Sequence, residues 1–180
     1  MPSSSTPSSA GLLRSFLDGS SWSLKKRLEY RRGGAFGTWT GEAYFRDDPV
    51  RSDCILYTEK GELKMDSSPP TSPGMPSSGR PLAFVFPAAT PDDDDATAAQ
   101  AEVYFVEDHG LRFFHALPFC EDPPPQSPSA LACSFDHLCV QDLYQGQWKI
   151  TGDDTFEIRW HVFGPTKDGD IVQEYVRLVS

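Results

Sequence analysis

Histidine, cysteine, aspartate and tyrosine gather in two short stretches of this chain: Arg112-Phe113-Phe114-His115, and His137-Leu138-Cys139 followed by Asp142 and Tyr144. These side chains could do chemistry near neutral pH, where histidine changes charge and serves as acid, base or metal ligand. Both stretches alternate as strands do. Leu111, Phe113, His115 and Leu117 share one face of the first, and Phe135, His137 and Cys139 share one face of the second. Successive strand side chains point to opposite sides, so this parity sets both histidines among apolar neighbours. Pairing of the two strands would bring His115 and His137 together on an inner surface.

Three roles compete for the cluster. In a buried polar network, His, Asp and Tyr satisfy one another and specify the core. In a small-molecule pocket, a few polar groups orient a ligand against apolar walls. The ligand-binding candidates are Arg112, Phe113, His115, His137, Cys139, Tyr144, Trp160 and Lys167. In catalysis, His115 or His137 would act as general acid or base with Asp142 or Tyr144 as partner. Zinc would need closer donor spacing than one H-x-C and a distant His, so no metal is expected. A buried Cys139 thiol would be inert as a nucleophile. An isolated histidine is no signature of haem, and the sequence names no cofactor.

Two further features flank this cluster. Trp160-His161-Val162-Phe163 reads as a strand that Gly164-Pro165 ends, with a turn at Lys167-Asp168-Gly169. The turn is the structural reading; the functional one sets Lys167 at a pocket mouth to meet an anionic group. At the chain ends, Trp22 opens the first strand and Arg177 sits in the last. Closing a barrel would bring them together at its seam, where Arg over Trp adds ~0.5–2 kcal/mol.

The elements that must position these residues are short and mostly of period two. Residues 1–10 read as a Ser/Pro-rich disordered tail. Leu12, Leu13, Phe16 and Leu17 then mark one helical face over 11–18, with Gly19 as the stop. From Trp22 the period becomes two: Trp22, Leu24, Leu28 and Tyr30 share a face that Lys26 interrupts, which places Lys26 near a barrel mouth. Further strands are predicted at 36–45, 54–57, 62–65, 82–86, 102–106, 111–117, 132–140, 144–150, 156–163 and 171–179. The segments 54–57 and 62–65 read as a hairpin around Glu59-Lys60-Gly61, and Gly41 marks a bulge or bend. Short strands joined by tight turns give an all-β, antiparallel barrel or sandwich of about eight to ten strands. Residues 11–180 form its one domain, with loop insertions near 66–79, 87–100 and 120–129. The Pro-rich and acidic loops, Asp92 to Asp95 among them, leave an interaction module as a further alternative.

Composition narrows the partners. The 180 residues carry a formal charge of −10, against the basic stripe that phosphate recognition demands, so nucleic acid is not an expected partner. No apolar run reaches the ~18 residues of a membrane span. The first residues lack the basic start and apolar centre of a secretory signal. A soluble cytoplasmic protein is the expectation. The four cysteines form no CxxC pair and read as free thiols, a Cys120–Cys133 bridge being the alternative. Ligand identity and oligomeric state do not follow from the sequence.

Across these motifs the chain resembles a known family. The carriers are Phe16…Gly19…Trp22, Gly41-Glu42-Ala43-Tyr44-Phe45, Tyr57-Thr58-Glu59-Lys60-Gly61 and Arg112-Phe113-Phe114-His115. They continue through His137-Leu138-Cys139…Asp142…Tyr144 and Trp160…Val162…Gly164-Pro165…Lys167-Asp168…Tyr175…Arg177. This series resembles the domain of unknown function 6314 family from about Phe16 onward, a family with no established activity to carry over. The early Gly…Trp and late Arg are also similar to lipocalin and calycin barrels. That resemblance implies a calycin-like β-barrel with a short N-terminal helix, of a kind that binds small hydrophobic ligands. Some such relatives bind haem or catalyse isomerisation and cyclisation.

Overall fold

A computed structural model describes residues 8–69, 71–87, 100–119 and 127–179. One helix, α1 (Ser9–Leu17), precedes eleven strands: β1 (Ser21–Tyr30), β2 (Ala35–Asp47), β3 (Cys54–Met65), β4 (Met75–Ser78), β5 (Leu82–Val85), β6 (Ala101–Glu107), β7 (Gly110–Leu117), β8 (Ala132–Cys139), β9 (Asp142–Gly152), β10 (Thr155–Phe163) and β11 (Asp168–Arg177). Ten of them form one antiparallel path, β7-β6-β5-β3-β2-β1-β11-β10-β9-β8, and β4 pairs with β3 beside it. The path curls into a nearly closed barrel whose ends, β7 and β8, lie against each other without a hydrogen-bonded ladder.

Alternation decides which side chains face inward. Trp22 and Leu24 of β1, Ala43 and Phe45 of β2, Phe156 of β10 and Tyr175 of β11 are buried, while their odd-numbered or even-numbered neighbours on each strand are more exposed. The inward rings interlock. Trp148 stacks on Phe156 at 4.8 Å, and Phe156 stacks on Tyr175 at 4.0 Å. α1 packs Leu13, Phe16 and Leu17 into this core at the Trp22 end of the barrel. Phe16 meets Trp22 at 5.3 Å, so a helix too short to persist alone is held by burial of its apolar face.

Several expectations change. α1 begins at Ser9, two residues inside the predicted tail, because the Ser8 hydroxyl accepts from the Gly11 N–H and caps it. β3 runs unbroken through Glu59-Lys60-Gly61, so the predicted hairpin does not form. Gly61 faces Gly41 on β2 with no bulge in the register at Gly41. A Cβ on either would overlap the other's strand, and the Trp39 ring covers both, so these glycines allow close approach. Residues 66–79 contain β4, and are not loop throughout. Of the loops at 87–100 and 120–129, residues 88–99 and 120–126, Asp92 to Asp95 among them, lie outside the described residues.

The seam also moves. β1 and β11 are joined by a continuous ladder from Trp22–Arg177 to Tyr30–Gly169. The Arg177 guanidinium sits 4.3 Å from the Trp22 ring and donates to the Phe16 carbonyl and Asp154, each at 2.9 Å. That junction is a fully laddered part of the barrel. The gap lies instead between β7 and β8.

Candidate functional site

A cavity of about 250 Å³ lies inside the barrel, lined by side chains from ten strands and by Arg80. Its walls are largely aromatic. The His115 ring stacks on Phe135 at 4.1 Å, and Trp160 stands edge-on to both at 5.5 and 5.0 Å. Phe114 lies 5.7 Å from Trp160 and 4.3 Å from Phe105.

β7 needs a bulge to build this wall. Val103 pairs with His115 but Tyr104 pairs with Phe113, which leaves Phe114 as the extra residue. Phe114 and His115 therefore both line the cavity. Phe113 does not: it is 52% exposed and packs against Tyr104 on the outer face. Strict alternation put Phe113 on the inner face, and the bulge overturns that.

His115 is 5% exposed. Its Nδ1 lies 3.1 Å from the Ala116 carbonyl, and burial lowers its pKa to about 4. His137 is half-buried beside the cavity rather than in its lining, with Nδ1 2.9 Å from the Phe114 carbonyl. Partial burial lowers its pKa too. No carboxylate pairs with either ring among the described residues.

Asp142 serves the neighbouring turn. Its carboxylate accepts from the backbone N–H of Thr166 at 2.9 Å and of Lys167 at 3.1 Å, and from the Thr166 hydroxyl. Those bonds, the hydroxyl first, hold its pKa below the usual range. A Cβ at Gly164 would overlap this carboxylate, which explains the glycine before Pro165. As a general acid–base partner, Asp142 is out of position.

Tyr144 and Trp160 line the cavity. Lys167 does not, but its Nζ donates to the Tyr144 hydroxyl at 2.6 Å, and that bond raises its pKa. Cys139 is half-buried beyond the lining, opposite Asp142 in the β8–β9 ladder. Arg112 lies outside it as well, its guanidinium 4.5 Å over Phe105 and bonded to Glu107 at 2.7 Å. Cys54, Cys133 and Cys139 are free thiols, and Cys120 lies outside the described residues. Among the described residues no group of three or more His, Cys, Asp or Glu could hold a metal ion.

A second polar group in the cavity went unread in the sequence. Lys26 pairs with Glu59, whose side chains are only 16% and 5% exposed. The Tyr57 hydroxyl donates to Glu59 at 2.5 Å and lies 3.1 Å from the Tyr175 hydroxyl, which lies 2.8 Å from the Gln173 amide. Burial raises the pKa of both tyrosines. Lys26 breaking an apolar face was one half of the signal. Glu59 shares inward parity with Tyr57, but the expected hairpin hid it.

Residues 17–177 match a family of unknown function, DUF6314. The chain belongs to this family. No curated protein sequence matches it. Its barrel is similar to that of an S-type phycobiliprotein lyase from Guillardia theta, at 10% identity over 89% of this chain and 88% of that one, with a TM-score of 0.55. A de novo designed fluorescence-activating β-barrel aligns at 13% identity over 92% of this chain and 97% of its own, with a TM-score of 0.40. At these identities the DUF6314 chain shares a fold with the lyase and nothing finer. No helix among its described residues is long and apolar enough to cross a membrane.

Proposed function

We propose that this protein binds a small, partly apolar molecule inside its barrel. The observation that carries the reading is the cavity: about 250 Å³ within a core whose other rings are tightly stacked. Protein interiors pack like organic crystals and leave few voids larger than a water. Apolar walls with a few convergent polar groups are the usual make-up of a ligand pocket. Here the walls are Phe114, Phe135 and Trp160, and the polar groups are His115, Tyr144 and the Lys26–Glu59 pair.

Filling the cavity tests this. Ile158 lines it from β10, so Ile158→Trp should occupy the space while the ladders persist. An uncharged, environment-sensitive fluorophore should bind the wild type and not the variant, with far-UV circular dichroism unchanged. Native mass spectrometry of the purified wild type should show a co-purifying small molecule that Ile158→Trp lacks. Equal fluorophore binding by both proteins, or by neither, would overturn the proposal.

A further inference from the structure

We infer that the cavity selects a neutral, planar molecule carrying an N–H or O–H donor, and that His115 Nε2 is the acceptor that reads this donor. The inference rests on the ligand-binding reading and adds the chemistry of the ligand.

The tautomer of His115 follows from its partner. A backbone carbonyl only accepts, so the Nδ1 that lies 3.1 Å from the Ala116 oxygen must carry the proton. A neutral imidazole has one such proton, which leaves Nε2 as a bare acceptor. Nε2 makes no hydrogen bond to the described residues. Stacking on Phe135 and the edge of Trp160 fix the plane of the ring, so this acceptor has a set direction. Its burial keeps the ring neutral near pH 7.

On the opposite wall the Tyr57 hydroxyl donates to Glu59 at 2.5 Å and the Tyr175 hydroxyl donates to the Gln173 amide oxygen at 2.8 Å, so the acceptors there are already engaged.

Charge disfavours ions in the interior. Lys26 is matched by Glu59, while at the exposed rim Arg80 and Arg112 share the Glu107 carboxylate, each at 2.7 Å. An ion seated beside Lys26 and Glu59 would have to break that pair or be buried unmatched, which is costly. Size and walls favour fused rings: an engineered apolar cavity of ~150 Å³ holds benzene, and this one is larger at about 250 Å³.

Three naphthalene probes separate the possibilities by calorimetry at pH 7: 2-naphthol, 2-methoxynaphthalene and 2-naphthoate. One hydrogen bond should make 2-naphthol bind ~10-fold tighter than the methyl ether, with 2-naphthoate weakest. His115→Phe keeps an aromatic ring at the stack and should abolish that preference while both neutral probes still bind. Should this variant not fold, the wild-type ¹⁵Nε2 resonance gives an independent reading, and 2-naphthol but not its methyl ether should shift it. Equal binding of the two neutral probes would overturn donor selection and leave ligand binding standing. Tightest binding of 2-naphthoate would show an anion site instead. Failure of all three to bind would overturn ligand binding together with this inference.

Discussion

His137 spans the gap in the barrel: its Nδ1 lies 2.9 Å from the Phe114 carbonyl, across two strands that form no ladder. The carbonyl makes Nδ1 the donor, so a side chain stands in for a missing backbone bond. The His137 ring also lies 4.5 Å from the Phe114 ring, beside the cavity wall. One residue thus ties the barrel's open edge to its pocket. His137→Ala should cost about 1 kcal/mol by denaturant unfolding, the usual net worth of one hydrogen bond. Amide hydrogen exchange should quicken in β7 and β8 and stay unchanged in the β1–β11 ladder. Unchanged exchange along β7 and β8 would show that packing alone holds the seam.

His115 should make the protein acid-sensitive in a defined window. Its native pKa is about 4 and its ordinary value is 6.5. As pH falls below about 6.5, the unfolded chain takes up a proton that the native state refuses. Stability therefore drops from about pH 6.5 to about pH 4 and levels off below. At 1.36 kcal/mol per pKa unit, the full loss is about 3 kcal/mol. His137, the titratable group whose charge bears on His115, is lowered as well and acts with the same sign. Aspartates held low by their partners, such as Asp142, contribute mainly below their ordinary value of 3.8, outside this window, and Glu107 below 4.5, at its lower edge. Urea unfolding at pH 7, 5.5 and 4.5 should show the slope in the wild type and a much flatter one in His115→Phe. Parallel slopes in the two proteins would remove His115 as the cause.

The Lys26–Glu59 pair should be costly to break and cheap to replace. Gly79 packs directly over the Glu59 carboxylate, where any Cβ would overlap it, so water has little access. Glu59→Gln keeps an acceptor for Tyr57 but strands the Lys26 ammonium, at about 3 kcal/mol. Lys26→Met combined with Glu59→Leu removes both charges and should recover much of that loss. The shift in denaturant midpoint measures both. A double variant less stable than Glu59→Gln would show that the pair gives net stabilisation.

How far alternation can be read depends on whether it is interrupted. β10 alternates along its whole length, β9 from Gln145 to Thr151 and β1 from Trp22 to Lys25, and the barrel was legible from them. β3 was not, because Glu59-Lys60-Gly61 has the composition of a turn. Only the facing Gly41, the Trp39 ring and the buried Lys26 show why the chain stays extended there. β7 misled in the opposite way. Its alternation looked regular, yet a one-residue bulge against β6 turned Phe113 out and Phe114 in.

The sequence by itself determined the all-β class, the helix before the first strand and the inward parity of His115 and His137. These depend on local spacing, which the chain carries in every conformation. Tertiary structure alone decided where the barrel stays open, which carboxylate meets which partner and what the cavity presents. Asp142 reaches Thr166, Lys26 reaches Glu59 and His137 reaches Phe114 across 24, 33 and 23 residues. Such contacts depend on register between distant strands, and a single bulge is enough to change which side chain makes them.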